Sequence, residues 1–410
     1  MQRKRSAIAA LLLAASLGVA ACGSSDDDSD TGTAAATEAS TAAADTSTAA
    51  ADTADAGGDC TTKADEALTA LSSGEVLSKG PNGEEAVPAS DITLSDEELE
   101  QIKAKNATAA LVMHFGGNDW TNAQVAGAKA QFEKMGVEVI AVTQADGKAD
   151  KQVNDLETVM AKKPDVILSI PIDPTATASA YKKAAEAGTK IVFLDLPAKD
   201  LVAGEDYVSV VSADNYGNGV ASAHLLARAI DCEGEVGAVH FADASSYAVQ
   251  QRWQAFQDTL ANDYPDMKIV EDEDVNAPDF AGDSEKGVSA ILTKHPDVKG
   301  IWAFFDVPAE GAKQAVQANG SSQPITTVDL GLNVAVDIAS GGLIKGLGAQ
   351  LPYDQGVTEA TLAGYALLDK EAPPYVALPP LPVDQANVLE AWEQVYHSDP
   401  PQELADAANG

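Results

Sequence analysis

Aspartates, aromatics and a glutamine recur in this chain where apolar runs end. Gly116, Gly117, Asn118, Asp119 and Trp120 follow the run at 109–115 (AALVMHF), and Asp195 and Leu196 follow 190–194 (KIVFL). Phe304, Phe305 and Asp306 close another run, Asp329 follows 325–328, and Gln350 stands at a further strand end. Carboxylates and an amide hydrogen-bond to hydroxyls or amines, and ring faces pack on C–H faces. Such a set suits recognition of a small polar molecule. A single aspartate at such a point could equally be a helix cap, but recurrence at successive tips points to one site. Catalysis lacks its signatures: the chain has no GxSxG, HExxH or GxxxxGK[ST]. Asp195 and Asp329 could be imagined as a glycosidase carboxylate pair, yet no enzyme is expected. The five histidines, at 114, 224, 240, 295 and 397, are scattered and no CxxC occurs, so neither a metal nor a cofactor is expected.

To present these tips on one side the chain needs parallel strands. Continuous apolar runs at 109–115, 137–142, 165–170 and 190–194 alternate with helical spacing over 120–135, 151–162 and 174–187. The rhythm repeats with strands at 207–211, 236–241, 267–271, 300–304 and 325–328 and helices between them. A long helix is expected over 354–368, then a proline-rich connection (373–382) and a terminal helix near 388–396. The spacing predicts an α/β fold of two doubly wound parallel-sheet lobes, which bind ligands beyond the carboxyl ends of their strands. Residues 95–105 read as a capped helix, Ser95 opening S-D-E-E.

The N-terminus is of another kind. Arg3, Lys4 and Arg5 precede an apolar stretch at 7–19, and the VAAC of 19–22 resembles the lipobox of bacterial lipoproteins. That resemblance implies a signal peptide over 1–21, lipid on Cys22 and a protein held on the cell membrane, outside the cytoplasm. Residues 23–58 contain no Lys, Arg, Pro or aromatic residue, the composition of a disordered acidic tether over 22–58. The net charge is −37, and −40 without residues 1–21, which argues against nucleic acid and anionic lipid as partners. With Cys22 assigned to lipid, Cys60 and Cys232 either form one disulfide, as an exported chain favours, or remain two buried thiols.

Residues 108–397 resemble the ribose-type sugar-binding proteins of bacterial ABC importers, the type I periplasmic-binding fold. The resemblance rests on GGNDW (116–120), PIDPTA (171–176), LDLPA (194–198), SADN (212–215), IWAFFD (301–306), TVDLG (327–331) and AQLPYDQG (349–356). It implies a three-crossing hinge near 212–213, 350–351 and 375–378. Lobe I is then expected over 108–212 and 351–377, lobe II over 213–350 and 378–410, with 59–107 an N-terminal segment carrying a short helix. By the same resemblance Trp120 stacks on a ring, Asp195 and Asp329 bind hydroxyls, and Gln350 lies at the hinge. Phe280 is the opposite-lobe aromatic, with Asp279 one residue away as the alternative, and Asn118 is a polar neighbour. Asp306 joins these from its strand tip. Leu196 and Gln250 stand where ribose binders present arginines, and Ile170 and Phe305 where they present asparagines. The expected protein is a monomer that captures a small sugar or polyol and delivers it to an ABC permease. Two alternatives follow: a cationic or amine-bearing ligand held by aspartates without arginine partners, and a sensor presenting its ligand to a membrane kinase.

Overall fold

The computed structural model describes residues 56–410. The expected signal, Cys22 and the tether up to residue 55 lie outside the described residues. The chain opens with α1 (Ala56–Leu71), β1 (Val87–Pro88) and α2 (Asp96–Lys103). A first half follows: β2 (Thr108–Met113), α3 (Asp119–Met135), β3 (Glu138–Gln144), α4 (Ala149–Met160), β4 (Val166–Ser169), α5 (Pro174–Glu186), β5 (Lys190–Leu194) and β6 (Ser209–Ala213). The second half repeats the pattern. It runs α6 (Asn215–Ala229), β7 (Gly234–Phe241), α7 (Tyr247–Asp263), β8 (Met267–Val275), α8 (Phe280–Lys294), β9 (Gly300–Ala303), α9 (Asp306–Ala318), β10 (Ile325–Val328), α10 (Leu332–Ala339) and β11 (Ile344–Ala349). The chain closes with α11 (Pro352–Leu367), β12 (Tyr375–Leu378), β13 (Leu381–Asp384), α12 (Val388–Tyr396) and α13 (Gln402–Asn409).

Two sheets result, ordered β1-β12-β6-β5-β4-β2-β3 and β13-β11-β10-β9-β7-β8. All pairings are parallel except β13 on β11. Helices cover both faces, so β4 and β6 are buried along their whole length, as uninterrupted apolar strands require. The chain passes between sheets at Asp214, at Gln350–Leu351 and at Pro379–Pro380. The third crossing falls just beyond the expected 375–378, because those residues are themselves β12, paired to β6 in lobe I. Ala213 and Leu378 therefore belong to lobe I.

Local chemistry sets the helix ends. Asn118, Asp173 and Asp214 accept backbone N–H bonds as caps of α3, α5 and α6. Ser95 and Glu98 form the expected capping box of α2. α3 and α11 pack closely in lobe I; a Cβ on Gly127 would overlap the Tyr353 carbonyl, and one on Gly356 the Gln124 carbonyl. In lobe II the fully buried Trp302 stacks on Phe256, ring centroids 4.8 Å apart, and donates to Ser222 Oγ at 2.9 Å.

Four strands and two helices depart from expectation, β1 among them, since only a short helix is expected over 59–107. β11 carries Gly346 and Gly348, which let the Leu225 side chain and the Asn218 backbone approach and which lower strand propensity. β12 and β13 lie inside the proline-rich stretch; Pro382 is tolerated because β13 is an edge strand. α1 begins at Ala56, so the folded body starts inside the end of the expected tether. Cys60 on α1 is bonded to Cys232, with Cα atoms 6.0 Å apart. α13 follows the terminal helix that the sequence did indicate.

Candidate functional site

The strand tips of both sheets converge on one cavity of about 590 Å³. Asp195 follows β5 and Asp329 follows β10, the same position in each half. Both hold a left-handed backbone, φ 60° and 70°, which aspartate tolerates better than most residues. Trp120 enters from the first turn of α3, Phe280 from the start of α8, and Phe305 from the end of β9. Phe280 and Phe305 meet edge to face, centroids 5.1 Å apart. Asp306 begins α9, and Gln350 sits on the second crossing.

The polar groups form one chain through the hinge. Ser212 Oγ donates to Asp195 at 2.7 Å and accepts from Asn215 Nδ2 at 3.1 Å. Arg252 Nε donates to Asn215 at 2.9 Å, and its Nη1 donates to Asp329 at 3.0 Å. Gln350 Nε2 donates to the other Asp329 oxygen at 2.7 Å. Gln355 Nε2 reaches Gln350 Oε1 at 3.5 Å, and Gln124 Nε2 donates to Gln355 at 3.2 Å, returning to lobe I. The two aspartates of opposite lobes are thus wired to the segments that must bend.

Burial divides the carboxyls into different states. Burial pushes Asp195 up to about 6, against the Ser212 hydrogen bond and the nearby Arg252 charge. Burial and then the neighbouring Asp329 charge push Asp306 up to about 8, so its carboxyl is largely protonated at neutral pH. Burial raises Glu359, near Asp195, well above the ordinary glutamate range. His114 is lowered to about 4 by burial and stays neutral. His114 and Trp120 line the same wall, centroids 5.8 Å apart, and each has a buried ring nitrogen without a protein partner.

Most residues singled out in the sequence reach the cavity: Asn118, Trp120, Asp195, Phe280, Phe305, Asp306, Asp329 and Gln350. Asn118 also caps α3, its Oδ1 accepting from Thr121 N–H at 2.7 Å. Asp279 caps α8 and leaves the aromatic position to Phe280. Gln250 is a correction: its amide donates to the carbonyls of Phe241 and Asp243, and it does not line the cavity. The guanidinium stands two residues on, at Arg252, about 200° around the helix. Asp329 therefore does have an arginine partner, whereas Asp195 is bonded to Ser212 and has none, so the premise of the cationic-ligand alternative fails for one aspartate of the two. Sequence reasoning also missed His114 and Tyr396, both at the cavity. Only two arginines occur after residue 5, Arg228 and Arg252, and their scarcity was the available signal for Arg252.

Two lobes that enclose a mostly apolar cavity, with carboxylates wired to a hinge, define a protein that captures a small solute by closing on it. Residues 109–372 match the periplasmic binding protein domain, and the chain belongs to that family. A D-apiose import binding protein of Actinobacillus succinogenes is 26% identical over 268 residues, 65% of this chain and 84% of that one. A ribose import binding protein of Salmonella typhimurium is 25% identical over 292 residues, 69% and 92% of the two chains. The solved structure of an ABC transporter solute binding protein from Agrobacterium vitis, with α-D-tagatopyranose bound, superposes with a TM-score of 0.64. It is 25% identical and covers 71% of this chain and 99% of its own. These relatives are binding proteins of transport systems, not enzymes. Among the described residues no helix is long and apolar enough to cross a membrane, and no His, Cys, Asp or Glu cluster is placed to hold a metal.

Proposed function

We propose that this protein is a lipid-anchored, extracytoplasmic receptor that closes on a neutral sugar or polyol and delivers it to an ABC permease. The observation that carries the ligand class is the pairing of Asp195 and Asp329 with facing aromatic walls in one interlobe cavity. Its volume lies within the roughly 300–1,000 Å³ typical of small-molecule clefts. Trp120, Phe280 and Phe305 offer faces for C–H groups, while Asp195, Asp329 and Gln350 address hydroxyls. The protonated Asp306 adds a donor, and the ring nitrogens of His114 and Trp120 can be satisfied by ligand oxygens.

Charge supports a neutral ligand. Arg252 offsets Asp329 and Asp306 is mostly uncharged, which moderates the negative charge that Asp195, Asp173 and Asp243 bring to the lining. Leu196 and Ile170 line the cavity as apolar surface, favouring a ring or polyol with fewer hydroxyls than ribose presents. The relatives named for apiose and ribose import, and the neighbour holding a tagatopyranose, support the same class. Lipid at Cys22 and the permease as recipient rest on the lipobox-like 19–22 segment and on the family's transport role.

Isothermal titration against pentoses, hexoses, deoxy sugars, polyols and amines tests the ligand. Saturable heat with at least one sugar or polyol is expected, and silence across those classes would overturn the reading. Labelling cells with a radioactive fatty acid tests the anchor: label on the parent and none on Cys22→Ser is expected, and an unlabelled parent refutes it.

A further inference from the structure

Residues 56–107 lie outside the stretch matched to the family, yet they grip both lobes. α1 is fixed to lobe II. Leu68 and Leu71 pack with Ala221 and Leu225 of α6, Asp65 pairs with Arg228 at 2.9 Å, and Cys60 is bonded to Cys232. The chain then runs to the first crossing, where buried Asp214 accepts from Leu77 N–H at 2.7 Å, Ser78 N–H at 2.9 Å and Ser78 Oγ at 2.7 Å. Ser78 Oγ accepts in turn from Tyr216 N–H at 2.9 Å. On α7, Tyr247 donates to the carbonyls of Lys79 and Gly80, each at 3.0 Å, and Gln251 donates to Lys79 at 3.0 Å.

A few residues later the same chain belongs to lobe I. β1 extends that sheet, Val87 opposite Val376. Tyr365 of α11 donates to the Thr93 carbonyl at 2.9 Å, Lys370 pairs with Glu98 at 2.9 Å, and Ile102 is fully buried in the core. Little slack separates the two attachments. Gly80 N–H bonds to the Glu84 carbonyl at 2.8 Å and Lys79 bridges Glu85, so a turn consumes most of the link. Only Glu85 and Ala86 then span from the turn to β1, about 10 Å of chain at full extension.

We propose that residues 77–88 are a strap, a fourth link across the hinge that limits how far the ligand-free lobes separate and thereby raises ligand affinity. A hinge opening that draws α7 away from β12 must break the contacts at Lys79 and Gly80 or unfold the turn. A ligand that selects the closed state binds more weakly as that state becomes less populated in the free protein. Ser78 is the positioning residue, because its hydroxyl joins the strap to both Asp214 and the first turn of α6. Neither Ser78, Tyr247 nor Gln251 lines the cavity, so the strap acts on closure and leaves the choice of ligand alone.

Small-angle scattering of the ligand-free full chain tests this without any sugar, and calorimetry with the tightest sugar found gives the second readout. Ser78→Ala and the pair Tyr247→Phe with Gln251→Ala are each expected to enlarge the ligand-free radius of gyration. Each is also expected to weaken binding about fivefold, the scale of a lost hydrogen bond of about 1 kcal/mol, with the rank order of sugars unchanged. Ser78→Thr, which keeps the hydroxyl, should restore the parent's scattering. Ligand-free scattering identical to the parent in both strap variants overturns the strap, as does a changed rank order of sugars. The affinity readout rests on the proposed function; a protein that bound no sugar would sink that function, while the ligand-free scattering would still decide the strap.

Discussion

Trp120 and Asp306 both line the cavity, and each bears on a different measurement. Trp120 is the large face on lobe I, and its loss removes both stacking area and the ring edge that meets His114. Trp120→Ala is expected to weaken sugar binding by about 1–3 kcal/mol; unchanged affinity by calorimetry would place the ligand elsewhere. Asp306 decides the pH response. Its carboxyl is raised to about 8 from the ordinary 3.8 by burial and the Asp329 charge. The folded protein therefore binds a proton that the unfolded chain releases above pH 4. That contribution to stability is complete below pH 4 and is lost as pH rises towards 8. Asp306→Asn should flatten the decline of the melting temperature between pH 6 and 8, a slope of at most about 1.4 kcal/mol per pH unit for one group. Parallel curves for parent and variant would show that Asp306 is ionised throughout. Asp195, Asp329, Phe305 and Asp306 were legible because each stands at the end of an apolar run; Phe280, which follows Pro278 and Asp279, and Gln350, which follows the glycine-broken β11, rested on the family resemblance. Arg252 was not: it projects from mid-helix, and a two-residue slip onto Gln250 turned the reading to the wrong side of α7.

Legibility at the level of elements follows the same physics. β2, β4 and β5 are buried on both faces and announce themselves as unbroken apolar runs; α2, α3 and α5 carry Ser95, Asn118 and Asp173 as caps. β11 hides behind Gly346 and Gly348, which exist for close packing, and β12 and β13 hide among prolines. α1 hides because its buried stripe is only Ala64, Leu68 and Leu71 beside Cys60. Such a narrow stripe does not hold a helix unaided, and its attachment to α6 comes from tertiary partners distant in sequence. The Cys60–Cys232 bond, which closes a separation of 172 residues, should then matter to stability more than to recognition. Reduction is expected to lower unfolding stability by about 2–4 kcal/mol and to leave sugar affinity and rank order as they were. Thermal unfolding with and without reductant, paired with calorimetry, checks both halves. An unaltered melting temperature after full reduction would show that the bond holds nothing together, and an altered affinity would show that the hold of α1 on α6 is coupled to lobe closure.

At the scale of the whole molecule, function is the free-energy difference between separated and closed lobes, and the structure shows contacts that exist only when the lobes meet. Asp119, at the start of α3 in lobe I, accepts a hydrogen bond from Leu332 N–H, the first residue of α10 in lobe II, at 3.2 Å. The donor belongs to a helix N-terminus, whose free N–H groups and dipole favour a carboxylate. Tyr353 and His397 stack across the second crossing, centroids 4.2 Å apart, and Asp354 pairs with His397 at 2.9 Å. These two pairs sit beside the pivot, where little distance opens. The Asp119 contact instead joins the first turns of α3 and α10, one from each lobe, and it is a lobe-closing contact that a single substitution removes. Asp119→Ala should therefore shift the free protein towards separated lobes and weaken every sugar by the same factor, about fivefold for a contact of about 1 kcal/mol. Scattering should show a larger ligand-free radius of gyration and, at saturating sugar, the parent's compact one. A loss confined to one sugar would instead make Asp119 a ligand contact, and unchanged affinity with unchanged scattering would mean that the bond to Leu332 plays no part in closure.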